Sequence, residues 1–335
     1  MPAPHPYVGR FAPSPTGPLH LGSLVAAMAA SLDARAHQGR LRLRIDDVDS
    51  TRVVPGAADA IVHALAAHGV HWDGPLERTT QHSARHEAAF ARLKTQDRVY
   101  ACRCSRNDIA RYWMQQGITT ATGQERVYPG TCRPPAASKG RPSPAPEACA
   151  TRAPFDSAYD STHQHQAPAW RFVVPSGIER WVDRAVGDVV QCVADEVGDF
   201  VLRRADGQWS YHLAIVVDDA ADAVTDVVRG DDLLMATARQ RVLQRALGLT
   251  HPRTLHVPVL RDATGQKLSK QSGASALALE RPLRSLRLAA RHLQLGHPPE
   301  PLRAALDTDA NASERLIKDF WSWATAAWAV RWLAA

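Results

Sequence analysis

A histidine, a glycine and two lysines, far apart in the chain, are the residues best suited to phosphate chemistry. His20-Leu21-Gly22-Ser23 closes a proline-studded loop, Pro13-Ser14-Pro15-Thr16-Gly17-Pro18-Leu19. The loop follows an apolar stretch, Tyr7 to Ala12, that reads as a strand, and it opens a segment with helical spacing. Strand, tight loop and helix N-terminus together gather free backbone N–H groups and the positive end of a helix dipole, which both favour an anion. A His20 ring N–H there can bond oxygens that gain charge in a transition state; a histidine that merely caps the helix is the plain alternative. Gly22 stands where a helix would prefer alanine, and its missing side chain lets a ligand approach the backbone. The lysines lie in Lys267-Leu268-Ser269-Lys270-Gln271. The chain has five lysines against 35 arginines, so two in one tetrapeptide stand out from solvated turn charges. A lysine ammonium is a compact charge on a flexible stem, able to swing onto a transferring phosphate.

A second constellation is built from sulfur. Cys102-x-Cys104 and Cys132 place three thiols within about thirty residues, which suits zinc once a fourth ligand completes a tetrahedron. His163 and His165 are rival ligands, and three unliganded cysteines are the alternative. Cys149 and Cys192 lie outside the pattern. Five cysteines cannot all pair within one chain, and a cytoplasmic chain keeps its thiols reduced.

The elements that must position these residues alternate between two periods. Leu21, Leu24, Val25, Met28 and Leu32 fall on one helical face, with Gly39 as the expected stop. Leu41 to Ile45 alternates apolar residues with arginine and reads as a strand. Ala57 to His68 and Ser83 to Lys94 read as helices. Val224 to Val228 is a β-branched strand ending in Arg229-Gly230-Asp231-Asp232; Leu233 to Leu247 is a helix stopped by Gly248; Leu255 to Leu260 is a further strand. Strands alternating with helices predict an α/β fold with a doubly wound parallel sheet. In such sheets ligands sit at the carboxyl ends of strands, and the Pro13 to Gly22 segment, Asp46 and Arg229 all fall there. Pro134 to Pro168, rich in Pro, Ala, Ser and His, lacks periodicity and reads as a mobile surface insertion. Trp321, Trp328 and Trp332 share a helix face, a pattern expected of packing.

Composition sets outer bounds. With 335 residues, 45% hydrophobic and 22% charged, the chain can bury a real core. It has no apolar run of membrane-spanning length and no signal-peptide pattern at its N-terminus, so a cytoplasmic location is expected. The net charge of +6 permits contact with a polyanion such as RNA.

The histidine and lysine motifs together resemble the two signatures of class I aminoacyl-tRNA synthetases. Arg10-Phe11-Ala12-Pro13-Ser14-Pro15-Thr16-Gly17 and Leu43-Arg44-Ile45-Asp46-Asp47-Val48-Asp49 narrow the resemblance to the glutamyl-tRNA synthetase subfamily. The resemblance implies a Rossmann-type catalytic core. His20, Lys267 and Lys270 would be catalytic, and His20, Gly22, Lys267, Ser269 and Lys270 would bind ATP. Arg10, Phe11, Ala12, Pro13, Ser14, Asp46, Tyr211 and Arg229 would bind L-glutamate. Arginine can offer forked donors to a carboxylate, Asp46 can accept from an α-ammonium, and Tyr211 can add a hydroxyl. Position 46 is usually glutamate in that family, so the charge is kept here with a shorter reach. Leu268 and Gln271 depart from the usual lysine motif. The resemblance also supplies the fourth zinc ligand, because related proteins carry a tyrosine four residues before the last cysteine, where Tyr128 stands. The set is then Cys102, Cys104, Tyr128 and Cys132, holding structural Zn2+.

An ordinary glutamyl-tRNA synthetase continues past the lysine loop with a helical anticodon-binding domain, whereas 64 residues follow Gln271 here. A short core with this cysteine–tyrosine set resembles the glutamyl-queuosine tRNA(Asp) synthetase family. The segments expected are 1–100 for the first half of the catalytic domain and 101–190 for an inserted zinc-binding part. Residues 191–254 make the second half, and 255–335 the lysine loop and a helical end. The implied partners are ATP with Mg2+, L-glutamate and the anticodon stem-loop of tRNA(Asp), with neither DNA nor a membrane among them. The implied reaction transfers activated glutamate to queuosine. A shortened ordinary glutamyl-tRNA synthetase and a non-catalytic RNA-binding relative are the alternatives.

Overall fold

The computed structural model describes residues 6–118, 126–134, 167–261, 265, 267, 275–300, 302–307 and 313–333. Most of the Pro134–Pro168 segment, with Cys149, His163 and His165, lies outside these residues, as do Leu268, Ser269, Lys270 and Gln271.

The first strand, β1 (Val8–Phe11), has three consecutive buried residues, as a strand covered on both faces should. It pairs in parallel with β2 (Arg40–Ile45), and β2 with the short β3 (Glu77–Arg78). A second parallel set follows later in the chain: β9 (Asp226–Gly230) pairs with β10 (Arg253–Val257), and β10 meets β6 (Glu179–Asp183), which forms a hairpin with β7 (Gly187–Gln191). The two sets are joined beside β1. Thr225 N donates to Val8 O at 2.9 Å, and Val8 N donates to Thr225 Oγ1 at 2.9 Å. Across the molecule the strands therefore run β3-β2-β1-β9-β10-β6-β7. Successive strands leave β1 on one side and return on the other, so a crevice opens at the carboxyl ends of β1 and β9. The expected α/β fold with a doubly wound parallel sheet is present.

Helix α1 (Leu21–Ala36) buries Leu24, Val25, Met28 and Leu32, the residues its apolar spacing singles out. It ends before Gly39, as expected. The left-handed residue is Gln38, with φ 54°, while Gly39 lies so close to Tyr7 that an added Cβ would sit 2.6 Å from its ring-bearing carbon. Gly39 closes the helix end, its N–H donating to Ala34 O at 2.8 Å, and also allows the close approach to Tyr7. Gly248, by contrast, takes φ 63° just after α7 (Ala236–Ala246), as a C-terminal glycine does.

Helices cover both faces of the sheet. On one, α1 packs against β1, β2 and β9, and beneath α8 (Pro282–His292) and α10 (Glu314–Trp332). Trp328 is fully buried there, and its indole N–H donates to Asp33 at 2.9 Å. Asp33 also accepts from Tyr7 OH at 2.6 Å and from both Nη atoms of Arg184. The tryptophan stripe is packing. On the other face, α6 (Tyr211–Ala221) packs with α7 and α3 (Ser83–Thr95). Two further helices, α2 (Ala57–Ala67) and α9 (Leu302–Asp307), complete the outer layer.

A separate antiparallel sheet joins β4 (Val99–Cys102), β5 (Ala169–Phe172) and β8 (Val201–Arg203). With α4 (Arg106–Gln115) and α5 (Val193–Glu196), it carries the cysteine cluster. Sheet membership does not follow the segment boundaries drawn from the sequence. The β6–β7 hairpin, all but its last residue within 101–190, extends the parallel sheet, and β8, within 191–254, belongs to the small one. Among the described residues no helix is long and apolar enough to cross a membrane.

Candidate active site and metal centre

A cavity of about 430 Å³ occupies the crevice. The end of β1 and the following loop form one wall, and Arg10, Phe11, Ala12, Pro13 and Ser14 all line it. The N-terminus of α1 forms another, with His20, Gly22 and Ser23. The ends of β9 and β10 close the third side.

His20 both caps α1 and lines the cavity. Its Nδ1 accepts from Ser23 N at 3.3 Å. A neutral imidazole that accepts at Nδ1 carries its proton on Nε2, so the cap fixes a donor on the opposite ring nitrogen. The capping reading and the phosphate reading are thus compatible. Residues 275–277 run beside this loop: His20 bridges Ala276 in antiparallel fashion, and Leu277 N donates to Leu19 O at 2.9 Å. The chain emerging from the lysine segment is therefore stitched to the histidine loop.

Lys267 reaches the cavity wall, and its Nζ lies 2.6 Å from Asp232 Oδ2. Asp232 also lines the cavity; the sequence marks it only as one of an acidic pair directly after a strand. Ser269 and Lys270 lie outside the described residues.

Two buried arginines, Arg10 and Arg229, line the same cavity. Arg10 directs Nε toward both oxygens of Asp219, at 3.4 and 3.3 Å. Arg229 is held by three donor contacts: Nε to His256 Nε2 at 3.0 Å, and Nη2 to Leu233 O at 3.2 Å and Thr237 Oγ1 at 2.9 Å. Among the described residues its buried Nη1 makes no hydrogen bond. Burial, with the Arg10 charge nearby, holds the Arg229 guanidinium below its ordinary range. Two guanidinium groups on one wall, one with a buried donor unused, call for an anion between them. Tyr211, the first residue of α6, lines the same cavity.

Asp46 is placed differently. It follows β2, its backbone N–H donates to Pro13 O at 3.0 Å, and its side chain is buried but is not on the cavity wall. Burial pushes its carboxyl up to about 6, against the pull of Arg44.

The sulfur cluster is assembled by β4 and by the segment that returns to it. The Sγ atoms of Cys102, Cys104 and Cys132 lie within 4.8 Å of one another, with Cys104 and Cys132 at 3.5 Å. Tyr128 is buried, with its oxygen 3.4 Å from Cys102 Sγ and 3.8 Å from Cys104 Sγ. Zinc bonds of about 2.0–2.3 Å in a tetrahedron hold donor atoms about 3.5–3.8 Å apart. The four donors fit that ion. Hydrogen bonds from Cys102 and Cys104 hold Cys132 low, toward the thiolate. Arg171 places Nε 3.2 Å from Cys102 Sγ and its guanidinium 3.8 Å over the Tyr128 ring. Three thiolates and a phenolate around a divalent ion leave excess negative charge, which this cation offsets. Cys192 is not part of this cluster.

Comparison with known proteins bears on both sites. Residues 7–281 match the family model for tRNA synthetases class I (E and Q), catalytic domain. The chain is 51% identical over 284 residues to a glutamyl-Q tRNA(Asp) synthetase of Bordetella bronchiseptica, covering 84% of this chain and 81% of that protein. It is 45% identical over 330 residues to one from a Janthinobacterium species, covering 97% of each. Among solved structures, a glutamate tRNA ligase from Elizabethkingia meningosepticum, crystallised with its amino acid, superposes with a TM-score of 0.68 at 23% identity. That match covers 95% of this chain and 64% of the ligase, and at this identity it speaks for the shared fold.

Proposed function

The chain belongs to the class I tRNA synthetases of the E and Q type, a family of ligases, and on that premise we propose that it activates L-glutamate with ATP and transfers it to queuosine in the anticodon of tRNA(Asp). The observation that carries the glutamate half is Arg229 Nη1, a buried donor without a partner among the described residues, on the wall that Arg10 shares. The glutamate side-chain carboxylate satisfies it and separates the two guanidinium charges. The queuosine half is supported by the names of the two relatives and by the extent of the match to them.

No general base is needed for activation, because the α-carboxylate of glutamate is already ionised at neutral pH. One of its oxygens attacks the α-phosphorus of ATP in line, the bond to the bridging oxygen breaks, and pyrophosphate leaves. His20 donates to oxygens that gain charge, while Lys267 and Lys270 neutralise the departing pyrophosphate. ATP enters as its magnesium complex. In the second step a hydroxyl of the queuosine cyclopentenediol attacks the acyl carbon, and AMP leaves. Zinc, held by Cys102, Cys104, Tyr128 and Cys132, would brace the small sheet and take no part in either step.

Two measurements test this reading. ATP–pyrophosphate exchange should depend on glutamate, proceed poorly with glutamine, and fail in Arg229→Leu while ATP still binds. Labelled glutamate should then appear in the anticodon fragment of digested tRNA(Asp). Label at the acceptor end would identify a shortened ordinary glutamyl-tRNA synthetase, and no exchange at all a non-catalytic relative.

A further inference from the structure

We infer that Asp183 and His256 form a positioning chain that aims Arg229 into the cavity and thereby sets the preference for a carboxylate side chain. The inference rests on the glutamate reading above and names residues beyond it.

The three residues come from three adjacent strands. Arg229 on β9 and His256 on β10 are register partners in a parallel pair, so their side chains leave the same face of the sheet. Asp183 ends β6, the next strand over. His256 Nδ1 lies 2.6 Å from Asp183 Oδ2, and His256 Nε2 receives the Arg229 Nε–H at 3.0 Å. An arginine Nε can only donate, so Nε2 must accept and the imidazole proton must sit on Nδ1, facing Asp183. The other Asp183 oxygen accepts from the backbone N–H groups of Ala185, Val186 and His256, at 3.0, 3.3 and 3.2 Å. The carboxylate therefore cannot rotate, and it fixes both the ring orientation and the tautomer. Burial and the Arg229 charge hold His256 below its ordinary range, in the neutral form this chain requires.

The consequence falls on the guanidinium. With Nε tied to His256 and both Nη2 protons tied to Leu233 and Thr237, Nη1 is left, among the described residues, with its donors unused. Donors fixed in place favour a carboxylate, which only accepts. A side-chain amide can turn its NH2 toward them only at the cost of facing donor to donor. A loosely held arginine could move aside and lose that discrimination.

The test uses Asp183→Asn and His256→Asn, with His256→Gln as the conservative variant. In Asp183→Asn the backbone donors hold the amide oxygen, leaving its NH2 toward Nδ1. The ring must then switch tautomer and present a proton to Arg229. In His256→Asn the side chain is too short to accept from Nε. Both variants should raise KM for glutamate by about tenfold or more, as loss of a hydrogen bond to a charged group does. They should also narrow the glutamate-over-glutamine ratio while KM for ATP stays within about twofold. The glutamine carbonyl in His256→Gln reaches the Nε2 position and should restore most of the glutamate affinity. If an asparagine variant fails to fold, Thr237→Val, which removes an Nη2 partner, supplies the same readout. Unchanged glutamate KM and selectivity in folded variants overturn the positioning role alone. So does an equal loss for glutamate and ATP, which marks general damage to the site. A wild type that fails to activate glutamate overturns the underlying reading as well.

Discussion

The ammonium of Lys267 lies 2.6 Å from the carboxylate of Asp232, which ties the first lysine of the loop to the end of β9. The pair is too exposed to contribute much stability, since ion pairs in solvent are worth about 0–1 kcal/mol. Its effect is placement. Gly230 makes it possible, because a Cβ at that position would stand 2.5 Å from Asp232 Oδ1. Asp232→Asn should therefore melt within about 2 °C of the wild type, yet raise KM for ATP severalfold in pyrophosphate exchange. An unchanged KM would remove the pair from ATP binding.

Lys270→Ala should slow glutamate activation by roughly two to four orders of magnitude, as loss of a charge contact made in the transition state does. The melting temperature should be unchanged. Single-turnover adenylate formation is the direct readout, and wild-type rates would exclude Lys270 from the mechanism.

Asp46 gives a pH-dependent prediction. Its folded pKa, about 6, lies above its ordinary value of 3.8 because of burial. The folded state therefore prefers the protonated form. That contribution is fully present below pH 3.8 and is lost as pH rises through about 6. Asp46→Asn, uncharged throughout, should be more stable than the wild type near pH 7.5 by roughly 1–3 kcal/mol. The advantage should vanish near pH 4. A stability difference that is the same at both pH values would contradict the account.

Zinc analysis of protein prepared without chelator should find one ion per chain. Cys104→Ser should lose or weaken it and destabilise the small sheet, while pyrophosphate exchange survives at temperatures where that sheet stays folded. Protein without zinc, equally stable, would leave the four donors without a metal role.

The histidine end of the cavity is legible in the sequence because its residues are contiguous. Strand, proline loop, His20 and helix follow one another, and the apolar spacing from Leu21 to Leu32 gives the helix that presents them. The arginine subsite is legible only in part. Arg229 announces itself at a strand end, but Asp183 and His256 are separated by 73 positions and meet only through strand order. Periodicity shows that a strand exists, not which strand lies beside it. The helix end near Gly39 is legible, but the left-handed turn falls on Gln38, and the glycine itself answers to close approach by Tyr7. Three of the four sulfur-site donors are visible as cysteines. Tyr128 has no chemical signature of its own, and only the family resemblance marks it.

The most direct test of the central claim is acceptance of labelled glutamate by tRNA(Asp) whose terminal adenosine has been removed. The queuosine cyclopentenediol offers the same paired hydroxyls as a terminal ribose, at the end of an A-form stem. The account predicts that queuosine-containing tRNA(Asp) lacking the terminal adenosine is glutamylated as well as the intact molecule. The same tRNA with unmodified guanosine should accept none. Glutamylation that requires the terminal adenosine and ignores queuosine would contradict it.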